Sequence, residues 1–398
     1  MSNRGVEVEV SCDVLRWART QSGYSEEDVA LKLNVDPKII FAWELKDTNI
    51  RFSQIRAMAA FFKRPEATLL LSKPPSSDPL PPDFRGSNKK GKFFSPQTLL
   101  SIRRARRLQK ILKLLLNNLK KKSAVDLSIV STTDNPEIVA NNQRTRMLQL
   151  HSGKIPTFKD AYDSFNFWKY SLELNNIFIL NMKMPSEDAR GFSFATDTPY
   201  IIVLNPSEPP TARNFTMFHE YAHLLLKSSG VCTPSFGDSL AKQEENSSAI
   251  ESWCNKFSAS FLMPKEIVVN AYKEREQDGL DRILPRLAMS FGVSRHAILL
   301  RLYNLDLISE KDFREEYAIV QSQVQLQLSK KAKTKTEIKI SSSIKCINEK
   351  GTKVVSLVLE NLDSNLISPN EFSDFLSLKI QNIDQVRELA ARREYHVR

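Results

Sequence analysis

Apolar positions recur at helical spacing through the first part of the chain. Between residues 11 and 71, Leu15, Ala18, Val29, Ala30, Leu33, Val35, Ile40, Trp43, Ile55 and Ala59 fall into four short runs, and this period predicts four helices. LRWARTQ is the first. Ser25 opens the second, SEEDVALKL, with Asp28 three residues on in a variant of the capping box. NVD makes a tight turn, and Asp36-Pro37 starts the third with a capping residue followed by proline. FSQIRAMAAFF is the fourth. Two short helices joined by a three- or four-residue turn make a helix-turn-helix pattern, so residues 1–72 read as a helical bundle of that type.

The pattern then changes. Residues 73–95, KPPSSDPLPPDFRGSNKKGKFFS, are rich in Pro, Ser and Lys and predict a linker. A helical period returns over 96–123, where Leu108, Ile111, Leu112, Leu115 and Leu119 form one stripe and Arg103, Arg104, Arg107 and Lys110 lie mostly off it. From 124 to 318 helical and strand patterns mix. NNIFILNM and YIIVLN predict short strands, separated by a turn with Arg190-Gly191. Apolar helices follow over NFTMFHEYAHLLL and SAIESWCNKFSASFLMP, and a second helix-turn-helix-like pair surrounds Gly292-Val293-Ser294. Residues 319–398 open with the polar stretch SQVQLQLSKKAKTKTE and continue into the helical segments VVSLVLENLDSN and PNEFSDFLSLKI. The fold expected is mainly α with a small β-sheet, an α+β chain.

Charge sharpens one segment only. The net charge is +11, and residues 85–122 hold thirteen Lys and Arg with no Asp or Glu, which leaves −2 for the rest of the chain. A basic amphipathic helix at 96–123 suits phosphate contacts, but equally a solvated face packed on a neighbouring domain. No run of eighteen apolar residues predicts a membrane span, and MSNRGVEVEVS lacks the apolar core of a secretory signal. Four widely spaced cysteines without a CxxC pair fit reduced thiols and a cytoplasmic setting.

The chemistry concentrates in FHEYAH. His219 and His223 are four apart in a chain with five histidines. On a helix of about 3.6 residues per turn they share a face, while Glu220 is rotated by about 100°. This is the H-E-x-x-H arrangement, in which two imidazoles hold zinc and a carboxylate acts as general base. A third ligand must come from another element. Glu251, 28 residues after His223 near the start of the next helix, is the strongest candidate; Glu244 and Glu245 in the polar loop AKQEENSS compete. Manganese also suits histidine and carboxylate ligands. Tyr221, Asn205 and Arg213 are candidate oxyanion or substrate contacts, and Arg213 equally suits a structural ion pair.

RNFTMFHEYAHLLL, IESWCNKFSASFLMP and LAMSFGVSRHAILLRL together resemble the ImmA/IrrE family of zinc metallopeptidases, and ARGFSF…YIIVLN resembles its two strands before the active helix. The helix-turn-helix followed by PLPPDFRG is similar to the longer subgroup, with a repressor-like domain of the XRE type ahead of the peptidase. The resemblance covers about residues 11 to 310. It implies a zincin-like peptidase domain over 124–318, one zinc per chain held by His219, His223 and Glu251, and Glu220 as general base. It also implies a protein substrate, a helix-turn-helix repressor in the family's best-known members, and a role in relieving repression under stress. Cys254, Trp253 and Ser258 depart from the family's usual residues, as does Tyr221-Ala222 inside the motif; none removes a ligand.

A different class of function remains open on the sequence, a DNA-binding regulator whose peptidase fold is a sensor or inactive. Lys38 and Phe41, with Ile39, stand at the start of the third helix, where base contacts are made in such modules. Residues 11–71 hold nine basic and eight acidic side chains, a weak phosphate-binding footprint. Docking of a protein is the alternative use of this surface.

Overall fold

A computed structural model describes residues 6–75, 94–122, 127, 129–151, 156–227, 231–232, 249–333 and 340–397. The chain divides into two compact units, residues 1–104 and 105–398. Most of the segment expected as a linker, 73–95, lies outside the described residues, as do Glu244 and Glu245.

In the first unit a strand β1 (Glu7–Val10) precedes helices α1 (Cys12–Thr20), α2 (Glu26–Leu33) and α3 (Pro37–Trp43); strand β2 (Thr48–Arg51) then leads into α4 (Phe52–Phe62) and the one-turn α5 (Glu66–Leu69). The expected capping box is present, with Ser25 Oγ accepting from Asp28 N and the Asp28 carboxylate from Ser25 N. Asp36 caps α3 ahead of Pro37, and Asn34, in the left-handed conformation, closes α2. Val14, Val29, Ile40, Ile55 and Leu69 are among the buried core side chains. Inside this bundle Arg19 is locked between Glu44, at 2.7 Å, and Glu26. The β1–β2 ribbon, with Val8 opposite Ile50, lies outside the four-helix expectation.

Helix α6 (Pro96–Asn118) crosses the division between the units. Its buried positions include Ile102, Ala105, Leu108, Leu112, Leu115 and Leu116, while Ile111 and Leu119 are only half-buried. The stripe is therefore shifted by part of a turn from the sequence reading. That rotation turns several basic residues onto protein. In the first unit, Arg103 donates to the carbonyls of Phe62 and Lys63 at the end of α4. In the second, Arg106 lies 3.6 Å over the Phe194 ring and Arg107 pairs with Asp374 at 2.7 Å, while Lys121, just past the helix, pairs with Glu360 at 2.6 Å. These contacts favour the packed amphipathic face over a phosphate-binding stripe.

The second unit places helices α7 (Pro136–Gln149) and α8 (Ala161–Leu174) before strands β3 (Phe178–Asn181), β4 (Gly191–Phe194) and β5 (Ile201–Leu204). Helix α9 (Pro210–Leu225) carries the H-E-x-x-H run, and strand β6 (Val231–Cys232) and helix α10 (Ala249–Leu262) follow. The sheet order is β3-β5-β4-β6, with β3 parallel to β5 and the other pairs antiparallel. All residues of β3, β4 and β5 are buried, and so is every residue of α9 from Arg213 to Leu225. The helix is thus covered all round, by the sheet, α8 and α10. Phe218 of α9 stacks on Phe261 of α10 with centroids 3.8 Å apart, and Trp168 of α8 meets both edge-on.

Helices α11 (Lys265–Lys273), α12 (Leu280–Phe291), α13 (Arg295–Asn304) and α14 (Glu310–Lys333) continue the unit, with Gly292 and Ser294 forming the turn between α12 and α13. Helix α14 takes up much of the stretch read as a polar segment. The remaining tail forms α15 (Ser342–Lys350), α16 (Thr352–Asp363), α17 (Pro369–Leu376), a 3-10 turn (Ile380–Asn382) and α18 (Ile383–Val397). It is fastened to strand β3 and the end of α8: Asn181 donates to the Asn348 carbonyl at 2.7 Å, and Lys353 Nζ donates to the Glu173 carbonyl and to Asn176 Oδ1. No helix among the described residues is long and apolar enough to cross a membrane.

Burial lowers the Lys353 pKa to about 8. The unfolded chain, with an ordinary lysine value near 10.4, then binds a proton that the folded chain has lost between these two values. Stability should therefore rise with pH over about 8 to 10 through this group, by as much as roughly 3 kcal/mol. Denaturant unfolding at pH 8 and pH 10 should show this increment in the wild type and not in Lys353→Met.

Candidate metal centre

Two helices build the centre. On α9, His219 and His223 project from one face a turn apart, and their Nε2 atoms lie 3.1 Å from each other. On α10, in the first turn, Glu251 reaches across, with Oε2 3.2 Å from His219 Nε2 and Oε1 3.2 Å from His223 Nε2. One donor atom from each residue falls within 4.8 Å of the others. The two histidines are essentially inaccessible, whereas the Glu251 side chain keeps 30 % exposure. Solvent therefore approaches the group from the carboxylate side.

The face of α10 that offers Glu251 also holds the histidines from behind. Positions 251, 254 and 255 are one turn apart, on one side of the helix. Asn255 Oδ1 lies 2.9 Å from His219 Nδ1. The amide oxygen can only accept, so Nδ1 donates to it, and Nε2 is the ring nitrogen turned toward Glu251 and available to a metal. His223 is hydrogen-bonded to Cys254 as well as to Glu251. Burial opposes the charged form of His223, but the bonds to Cys254 and Glu251 prevail and raise its pKa well above the usual value. Burial likewise opposes the Glu251 carboxylate, and the bonds from His219 and His223 outweigh it, holding its pKa far below the ordinary range.

Two imidazole nitrogens and a carboxylate oxygen, with one imidazole already fixed in its tautomer from behind, are a donor set suited to a tetrahedral divalent ion with an open fourth position. The residues fit zinc. Truncating the outer partner should loosen the inner ligand: Asn255→Ala is expected to weaken zinc binding by about 10–100-fold, measured by competition with a chelating dye, with the fold retained.

Glu220 sits beside the group, fully buried, where it accepts a hydrogen bond from Ser193 Oγ of β4 at 2.7 Å. Burial raises its pKa; the neighbouring His223 and His219 and the Ser193 bond pull the other way. Its place beside the donor atoms suits proton exchange with a water bound among them.

The other residues singled out from the sequence are engaged elsewhere. Tyr221 lies two positions from each histidine, about 200° round the helix, and its hydroxyl donates to Gln143 Oε1 at 3.0 Å in the core. Asn205 donates to the carbonyls of Met184 and Ala189 and closes a loop. The Arg213 guanidinium stacks 4.2 Å over Phe165, in a structural place, with no ion pair among the described residues. None of the three has its polar atoms in the metal group. Lys38 and Phe41 are exposed on α3, Phe41 at 57 %.

Ser193 and Asn255 are the functional neighbours that the sequence reading missed. Asn255 carried a usable signal, its i+4 spacing from Glu251. Ser193 carried none, because strand β4 meets α9 only through the tertiary fold.

Comparison with known families agrees with this architecture. Residues 173–303 match the peptidase M78 family, described as the IrrE N-terminal-like domain. Residues 15–69 match the helix-turn-helix family. The matched regions thus give a peptidase M78-like region over 173–303 with an XRE-type helix-turn-helix region ahead of it. Among curated proteins no match was found.

Proposed function

We propose that the chain is a zinc-dependent metalloendopeptidase that cleaves a regulatory protein, with a helix-turn-helix repressor as the substrate that its family resemblance favours. The observation that carries this reading is the convergence of His219, His223 and Glu251 within 4.8 Å, with the buried carboxyl of Glu220 alongside.

His219, His223 and Glu251 hold the ion. Bound there, zinc would supply Lewis acidity toward the scissile carbonyl and the attacking water. Glu220 takes the proton of the attacking water and delivers it to the leaving amine. Ser193 fixes the Glu220 carboxyl in one orientation through its short hydrogen bond. Asn255 and Cys254 hold the imidazoles from behind. Manganese is compatible with the same donors.

The helix-turn-helix unit supports recognition of DNA or of a partner protein through the exposed face of α3. The test is incubation of the zinc-loaded chain with candidate helix-turn-helix repressors. A pair of fragments from one cut, suppressed by a chelator and restored by zinc, is the expected result. Salt-sensitive DNA binding without any cleavage would favour a regulator with an idle peptidase fold.

A further inference from the structure

Two arginines close the C-terminal end of α10, and they differ in one respect. Arg301 donates from Nε to the Met263 carbonyl at 3.0 Å and has a counter-ion, Glu137, at 2.5 Å. Arg144 donates to the Phe261 carbonyl and lies over the Trp168 ring at 4.8 Å. It has no carboxylate partner among the described residues, although it is only 6 % exposed. Its Nε is buried without a hydrogen-bond acceptor. Burial alone lowers its pKa to about 10, so it remains a cation at neutral pH. An unpaired buried cation is a costly feature, and here it borders empty space. Arg144 lines a cavity of about 210 Å³ whose other walls include Phe158, Trp168, Leu287 and Phe291.

We propose that this cavity is a binding site for a small organic acid, with its carboxylate on Arg144 and an apolar ring or chain against the aromatic walls. The chemistry selects this class. Glu274 also lines the cavity but is paired with Arg275 at 3.0 Å, so the unpaired charge in the wall is the Arg144 cation, and a bare inorganic anion would leave the apolar walls unfilled. Arg275 also lines the cavity, but its guanidinium is already bonded to the Ala271 carbonyl and paired with Glu274 at 3.0 Å. Arg144 is therefore the group that recognises the charge. This site uses none of the metal ligands, and its occupancy does not depend on the chain being a peptidase.

The test is titration of the full chain with phenylacetate, followed by tryptophan fluorescence, because Trp168 forms part of the wall. Saturable binding in roughly the millimolar range or tighter is expected, with no saturation by the neutral isostere phenylacetamide or by inorganic phosphate. Arg144→Met should weaken it at least about tenfold. Ala271→Phe, which fills the cavity and leaves the guanidinium in place, should do the same and guards against a folding defect in the first variant. No saturable binding of phenylacetate, or equal binding by wild type and both variants, would overturn the proposal. A short peptide ending in phenylalanine tests the other source of the same chemistry. Binding of that peptide without binding of the free acid would overturn the assignment to a small molecule.

Discussion

Glu220→Gln should lower the rate of substrate cleavage by about 10²–10⁴-fold and leave zinc content and folding unchanged. Glutamine has nearly the shape of glutamate and can still accept the Ser193 hydrogen bond through its amide oxygen. What it cannot do is gain and lose a proton. The site makes that loss severe, because Glu220 is completely buried, burial raises its pKa, and among the described residues no other carboxyl accepts a hydrogen bond from Ser193. Retained zinc with lost cleavage is the pattern expected of a base that is not a ligand. Cleavage at the wild-type rate would remove Glu220 from the mechanism.

Glu251→Ala should act on the other side of the division, by abolishing metal binding. The substitution takes away the only carboxylate of the donor set and leaves two imidazole nitrogens 3.1 Å apart on one helix. Its effect on affinity should exceed the about 10–100-fold loss expected for an outer partner such as Asn255. Stability gives an independent readout. A ligand present at a thousand times its dissociation constant stabilises the folded state by about 4 kcal/mol. Zinc should raise the unfolding midpoint of the wild type and of Glu220→Gln accordingly. The Glu251→Ala variant should show no such rise at the same zinc concentration. Equal stabilisation of all three proteins would mean that zinc binds somewhere else.

Local features were the legible ones. The Ser25–Asp28 capping box, the Asp36-Pro37 helix start and the Gly292–Ser294 turn depend on neighbours within a few residues, and each stands in the structure as the sequence suggests. The spacing of His219 and His223 needed only helical geometry. Placing Tyr221 among the substrate contacts failed on that same geometry, since a residue two positions from a ligand points to the opposite side. Features made by distant partners were not legible. Strand β1 exists because it pairs with β2 some forty residues later. Strand β4 was legible only through the family resemblance, and Ser193 could be matched to Glu220 only after the sheet was laid beside α9. The charge run at 96–123 leaves two readings open for a similar reason. Its counter-ions Asp374 and Glu360 lie on the tail helices, more than two hundred residues away, so a segment with no acids of its own is partly neutralised by the fold.

X-ray absorption at the zinc edge of the loaded, full-length protein, taken together with its metal content, tests the central claim most directly. The account predicts about one zinc per chain in a shell of nitrogen and oxygen at about 2.0–2.1 Å, with imidazole scattering from two histidines. A sulfur shell at about 2.3 Å, or protein that takes up no zinc, would contradict it.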